Sequence, residues 1–401
     1  MRGFPPDAAS LVTHANQLYG PYNRWSFQNE MPLNHVVDVW RGDGPVAPLP
    51  YALRDLHAVT YRNRLGTEFS FDDMVEMSYT DGIVVLHRGR IIYERYLNGM
   101  QPHTLHAWAS GSKSMTGVLV ALLAYEGLFD LGATVAMYLP ELAHSGFGDA
   151  TLQQVMDMTT NVRFLEDAID PVSENLNYSI ALGWRAQPPG YTGPSSVYEV
   201  LPTMWKGGEH GDRFVYLTPN TDVLAWLLKR LLNRPLAQIM HERIWSQLGA
   251  ERDAFWIVGP TAAETGGSGL LTTLRDMARF GQLLLQAGEF NSRRILPAAM
   301  VQDIERGGDQ AAFARGPAAG PGNQGWSYHA QWWHTHNANR AYLAMGYGGQ
   351  ILYIDPAAQM VVAKFSSYPT PTPAGNEFYS AFAALPALGA WLAAADAQDP
   401  Q

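Results

Sequence analysis

The sequence predicts an α/β (α+β) fold, an antiparallel sheet flanked by helices with a mainly helical segment inserted into it. Three observations carry that expectation. Apolar-alternating runs give one hairpin pattern at 81–100 and a second at 348–367. A helical pattern over roughly 376–397 follows a Pro-Thr linker, and the stretch 128–335 between the hairpins reads mainly as helices and loops. Strands near both ends bracketing a helical middle point to a sheet built from 1–127 and 336–401, with 128–335 inserted and the active site between the two units.

Each element has its own signal. Residues 1–75 are rich in Pro, Asn and Arg without clear periodicity and read as a wrapping extension. "DGIVVLHRGRIIYERYLNGM" turns at Arg88-Gly89-Arg90. "MTGVLVALLAYEGL" is apolar on every face, as a helix buried in the centre of a domain must be, and Gly127 lies where its C-cap would sit. In the middle segment, helical periodicity is clearest in "TLQQVMDM", "NTDVLAWLLKRLL" and "TLRDMARFGQLLLQAG". The second hairpin turns at Asp355-Pro356-Ala357-Ala358.

Bulk properties narrow the function. The 401 residues are 47% hydrophobic and 16% charged, a globular composition long enough for one large domain or two interlocked ones. A net charge of −10 without a basic stripe sets aside nucleic acid and anionic membranes as partners. No cysteine is present, so disulfides and thiolate metal sites are excluded. The first twenty residues lack the apolar run of a secretory signal. No segment reads as a membrane span, since "FAALPALGAWLAAADA" is short and carries a proline. The expected location is the cytoplasm.

Chemistry concentrates in "HAWASGSKSMTG", residues 106–117. If Ser110 opens the buried helix, Lys113 lies on the same face one turn on, about 5–6 Å away between β-carbons. An amine there can take the serine proton, and the helix N-terminus offers unpaired N–H groups to a developing oxyanion. Ser112 diverges from Lys113 by about 100°, and Ser114 sits deeper in the helix. "GSKS" is not a phosphate loop, and no G-x-S-x-G elbow occurs in the chain. The plainer alternative is a serine cap followed by a surface lysine. Two further elements could complete a site. Tyr216 precedes Thr218-Pro219, a strong helix start, although a packed structural tyrosine is the commoner fate. Gly346, Gly348 and Gly349 precede a strand, which suits either close approach to a ligand or a bulge.

Together these elements resemble the serine β-lactamase and penicillin-recognising superfamily, with its β-lactamase/DD-peptidase-like fold. More closely, the chain is similar to the 6-aminohexanoate-dimer hydrolases (nylon-oligomer hydrolases) and the class C-like, family VIII carboxylesterases. "YNRWSF", "SGSKSMTG", "DPVSE", "PNTDVLAW", "RDMARFG", "QWW" and "GGQILYIDP" carry the likeness along almost the whole chain. The resemblance implies Ser110 as nucleophile, Lys113 as its base and Tyr216 as the relay to the leaving group. It implies an oxyanion hole from the backbone N–H groups of Ser110 and Tyr347.

The departures bear on substrate. The superfamily's K-T-G would fall on Ala344-Met345-Gly346, so its cation is missing. Positions that assist amide hydrolysis in the nylon-oligomer group read Ala168, Ser179 and Gly267, while Trp184 and Trp333 match and would line the acyl pocket or simply pack in the core. The implied activity is hydrolysis of small carboxylic esters or linear amides through a covalent acyl-enzyme, with esters favoured. The alternatives are a β-lactamase or D-Ala-D-Ala carboxypeptidase, and a non-catalytic binding member of the fold. A small ester or amide is the expected partner, with a homodimer left open. No cofactor is expected, and His103, His106, His334 and His336 lack the acidic neighbours a metal site would need.

Overall fold

The computed structural model describes residues 1, 3–164, 175–370 and 376–398. Strands β1 (Val36–Val39), β2 (Thr80–His87), β3 (Arg90–Tyr96) and β4 (His106–Ala107) precede the helical segment. Within it lie β5 (Ala254–Ile257) and β6 (Leu270–Thr272), and after it β7 (Ser327–His329), β8 (Trp332–His334), β9 (Tyr342–Gly346), β10 (Gln350–Asp355) and β11 (Met360–Ser366). The helices that matter for the site are α1 (Ser112–Tyr125), α2 (Asn175–Ala181), α3 (Thr218–Leu232), α4 (Leu274–Leu285), α5 (Ala298–Arg306) and α6 (Asn376–Gln398).

The main sheet has seven antiparallel strands in the order β7-β8-β9-β10-β11-β2-β3. Two neighbouring strands, β11 and β2, come from opposite ends of the chain, with Met360 opposite His87 and Lys364 opposite Ile83. The C-terminal run of strands in this sheet starts at Ser327, ahead of residue 336. The short β7–β8 hairpin turns on Ala330-Gln331 and so lacks the Asn-Gly signature that would mark it. A second sheet, β1-β5-β6-β4, ties the N-terminal extension to the middle segment through Val36–Val39 against Ala254–Ile257.

Both faces of the main sheet are covered, which is why β2 is buried at every position. Val84 and Leu86 point with Leu352 and Val361 toward Met277, Phe280 and Leu283 of α4. Ile83 and Val85 point the other way, with Ile351 and Val362, toward Ala381, Leu385, Leu388 and Leu392 of α6. The Ser380–Ala397 stretch of α6 is, against the expectation from sequence, long and apolar enough to cross a membrane, with a mean hydropathy of 1.3. Pro386 sits inside the helix without ending it. Its leucines are used on the sheet, where burying each one stabilises the fold by about 1.5–3 kcal/mol.

Helix α1 runs through the centre, buried from Ser112 to Leu123 except at Ala121. It lies so close to the β7–β8 turn that a β-carbon on Gly117 would come 2.3 Å from the Ala330 carbonyl oxygen. Ala330 and Gln331 both have positive φ, 50° and 67°, which costs about 1–3 kcal/mol each unless the surroundings impose it. Here they do. Ser114 Oγ donates to the Gln331 carbonyl at 2.7 Å, Thr221 Oγ1 to Gln331 Oε1 at 2.7 Å, and Ala330 N–H to Asp157 Oδ1 at 3.0 Å.

His329 locks the same turn from the side. Its ring nitrogens lie 2.9 Å from Asp157 Oδ1 and 3.2 Å from Asp303 Oδ2 on α5. Burial is the largest single influence and opposes the charge, but the two carboxylates outweigh it and raise the imidazole to about 9. A raised histidine stabilises the fold fully below its unfolded value near 6.5 and loses that contribution as pH climbs through about 9. His329 should therefore contribute roughly 2–3 kcal/mol less to the urea-unfolding stability at pH 9.5 than at pH 6, beside the separate contributions of Glu30 and Lys364 in that range. His329→Gln should remove that loss; equal slopes in both proteins would contradict the assignment.

Candidate active site

The segment before α1 is pinned at several points. Trp108, fully buried, donates from its backbone N–H to Leu270 at 2.9 Å and from Nε1 to Thr272 Oγ1 at 2.7 Å, both on β6. Ala109 then takes a positive φ of 46°, and Ala109–Gly111 forms a 3-10 turn, so the α-helix starts at Ser112 rather than at Ser110. Ser110 is half-buried within that turn. The two other serines are occupied: Ser112 Oγ donates to Ala109 O at 2.7 Å and accepts from Leu270 N–H at 3.0 Å, while Ser114 holds Gln331. Of the three, Ser110 has the lysine.

Lys113 is 1% exposed, and its Nζ lies 3.1 Å from Ser110 Oγ, 3.0 Å from Thr218 Oγ1 and 2.8 Å from the Gly267 carbonyl oxygen. A carbonyl can only accept, so one N–H is committed to Gly267. With a second N–H on Thr218, a neutral amine keeps its lone pair for the Ser110 hydroxyl proton. After transfer, all three ammonium hydrogens have acceptors. Thr218 is not the cap of α3 expected from sequence, because Leu217 occupies the cap position and Pro219 the first turn. The ring of half-buried Tyr216, on the segment leading into α3, lies with its centroid 5.0 Å from Lys113 Nζ. Ser110, Lys113 and Tyr216 thus meet.

Tyr347 approaches from the other side. Gly346 ends β9 so near the Trp108 carbonyl that a β-carbon there would sit 2.0 Å from its oxygen. Gly348 and Gly349, with φ of 79° and 95°, turn the chain into β10. Gln350, 1% exposed, donates from Nε2 to the Tyr347 carbonyl at 2.9 Å and to Ser366 O at 2.8 Å. The Tyr347 hydroxyl donates to Leu18 O at 2.8 Å.

The remaining candidates separate. Trp333 stacks on Tyr216, centroids 5.5 Å apart at 26°, and is half-buried at the edge of an aromatic cluster with Phe214, Phe313 and Tyr328. Trp184 packs edge-on against Tyr178, and the Tyr178 hydroxyl donates to Asp222. Among the described residues, no ring contact or hydrogen bond joins Trp184 to the Ser110–Lys113 pair. Ser179 is buried and donates to Asn175 Oδ1 at 2.7 Å within α2. Gly267 serves through its carbonyl, and a β-carbon there would press on Thr218 Cγ2 at 2.6 Å. Ala168 lies outside the described residues. Asp222, buried in α3, is a site residue that the sequence reading does not single out, although an acid directly before "VLAWLL" is a usable signal.

The profile of the beta-lactamase family matches residues 74–385. The chain belongs to the beta-lactamase family. This beta-lactamase-family chain is 32% identical over 368 residues to the 6-aminohexanoate-dimer hydrolase of Paenarthrobacter ureafaciens, covering 92% of this chain and 91% of that protein. Its fold is similar to that of a Bacillus anthracis chain provisionally named a 6-aminohexanoate-dimer hydrolase, with a TM-score of 0.87, 35% identity, and coverage of 96% and 98%. A family VIII carboxylesterase shares the fold at a TM-score of 0.56 and 16% identity, covering 76% of this chain and 92% of that one. By this membership the protein is a hydrolase of the amide- and ester-cleaving type.

Proposed function

We propose that this protein cleaves small carboxylic esters and linear amides through a covalent acyl-enzyme on Ser110. The observation that carries the reading is Lys113 Nζ, buried and aimed at Ser110 Oγ across 3.1 Å. The Ser110 proton passes to Lys113 as Oγ attacks the acyl carbon. Charge on the carbonyl oxygen is met by the backbone N–H groups of Ser110 and Tyr347, each worth about 2.7–4 kcal/mol in the barrier. Lys113 passes that proton on to Tyr216 as the Tyr216 hydroxyl gives its own to the leaving alcohol or amine and the acyl bond breaks; water then attacks the acyl carbon, its proton returns to Ser110 Oγ, and the acid is released. Trp333, stacked on Tyr216, is assigned to the acyl pocket, with Gly267 as a small position beside Lys113. Ala344, buried at the place of the missing K-T-G lysine, offers no charge to a penicillin carboxylate.

The small position at Gly267 favours esters, because an amide nitrogen leaves only with more help from polar groups. Turnover of p-nitrophenyl acetate should exceed that of the 6-aminohexanoate dimer on one preparation, and the reverse order would refute the ester preference. A fluorophosphonate probe should label Ser110, located by peptide mass spectrometry. A cytoplasmic location belongs to the same reading and is tested by fractionating producing cells.

A further inference from the structure

Asp222 sits one turn beyond Thr218 on α3 and is 2% exposed. Its Oδ1 accepts the backbone N–H groups of Gly266 at 2.7 Å and Gly267 at 3.3 Å, and its other oxygen accepts the Tyr178 hydroxyl. The two glycines are wedged between α1 and α3. A β-carbon on Gly266 would lie 2.6 Å from Ala225 Cβ, and the Gly266 carbonyl takes the Thr116 hydroxyl of α1 at 2.8 Å. The next carbonyl, Gly267, is the one that holds Lys113 Nζ. One carboxylate therefore fixes the two peptides that lead directly into the Gly267 carbonyl, which aims the lysine at Ser110.

The geometry points to Asp222 as the positioning residue of the Lys113 base: it orients the Gly267 carbonyl and places a negative charge where the lysine becomes an ammonium. This rests on the reading of Lys113 as the group that takes the Ser110 proton. In that step the O–H bond of Ser110 breaks, the Lys113 lone pair takes the proton, and the positive charge so formed faces the Asp222 carboxylate. Burial raises the Asp222 carboxyl to about 6, opposed by the Tyr178 hydrogen bond and by the charge of Lys113. The titratable groups around it are Lys113 from α1, Tyr178 from α2 and Tyr198 from the short helix Val197–Val200. Activity should accordingly rise with pH through about 6, as the carboxylate forms.

Asp222→Asn keeps the shape and removes the charge. It should lower kcat on p-nitrophenyl acetate by about 10- to 100-fold, leave KM within about twofold, and erase the acid limb of the kcat/KM profile. Tyr178→Phe removes only the bond that favours the carboxylate, so the acid limb should move to higher pH. That variant carries the test if Asp222→Asn fails to fold. An unchanged acid limb in Tyr178→Phe, or wild-type kcat and profile in Asp222→Asn, overturns the inference. Wild-type protein that the fluorophosphonate cannot label at Ser110 would instead overturn the hydrolase mechanism beneath it.

Discussion

Ser110→Ala is expected to lower ester turnover at least about ten-thousand-fold and to abolish fluorophosphonate labelling, with the fold intact. The side chain is half-buried, and its Oγ accepts a hydrogen bond from Lys113. Removing it leaves the amine bonded to Thr218 and Gly267, so thermal unfolding should shift by no more than that of an ordinary surface substitution, about 0.5 kcal/mol. Residues that act as one unit are non-additive. Lys113→Ala should be almost as damaging, and the double variant no worse than Ser110→Ala alone. Independent, multiplicative losses would mean that the two side chains do not share a step.

Gly346→Ala should damage both activity and stability. The new methyl would sit 2.0 Å from the Trp108 carbonyl oxygen and 3.0 Å from Gln350 Cβ, and Trp108 cannot retreat because β6 holds it at backbone and indole. The end of β9 must move instead, taking along the peptide that bears the Tyr347 N–H. Loss of one oxyanion donor lowers kcat about 100- to 1000-fold, while overpacking costs about 1–3 kcal/mol of stability. The kcat loss should persist at temperatures where the variant is fully folded. A folded variant with wild-type kcat would remove Tyr347 from the oxyanion hole.

The legible parts of the sequence are those with local signatures. β2–β3 and β10–β11 declare themselves through apolar runs around polar turns, α1 through apolarity on every face, and Ser110/Lys113 through their spacing. What escaped depends on partners distant in the chain. The left-handed Ala109 moves the helix start to Ser112 because β6 grips Trp108, some 160 residues away by the Thr272 contact. Thr218 gives up the cap position and its hydroxyl receives Lys113 across 105 residues. The β7–β8 hairpin turns on Ala-Gln because Ser114, Asp157 and Thr221 hold it, and no local propensity would choose that turn.

The pairing of Thr80–His87 with Met360–Ser366 also sets when the enzyme can first exist during its synthesis. The strand that carries the chain onward to Ser110 finds its Met360–Ser366 neighbour only after residue 366 has been made. Until then an apolar segment with an unfilled edge must wait on the ribosome or with a chaperone, since such distant contacts form slowly and exposed edges invite aggregation. Premature release anywhere before residue 366 should therefore yield insoluble, inactive fragments instead of a weakened hydrolase.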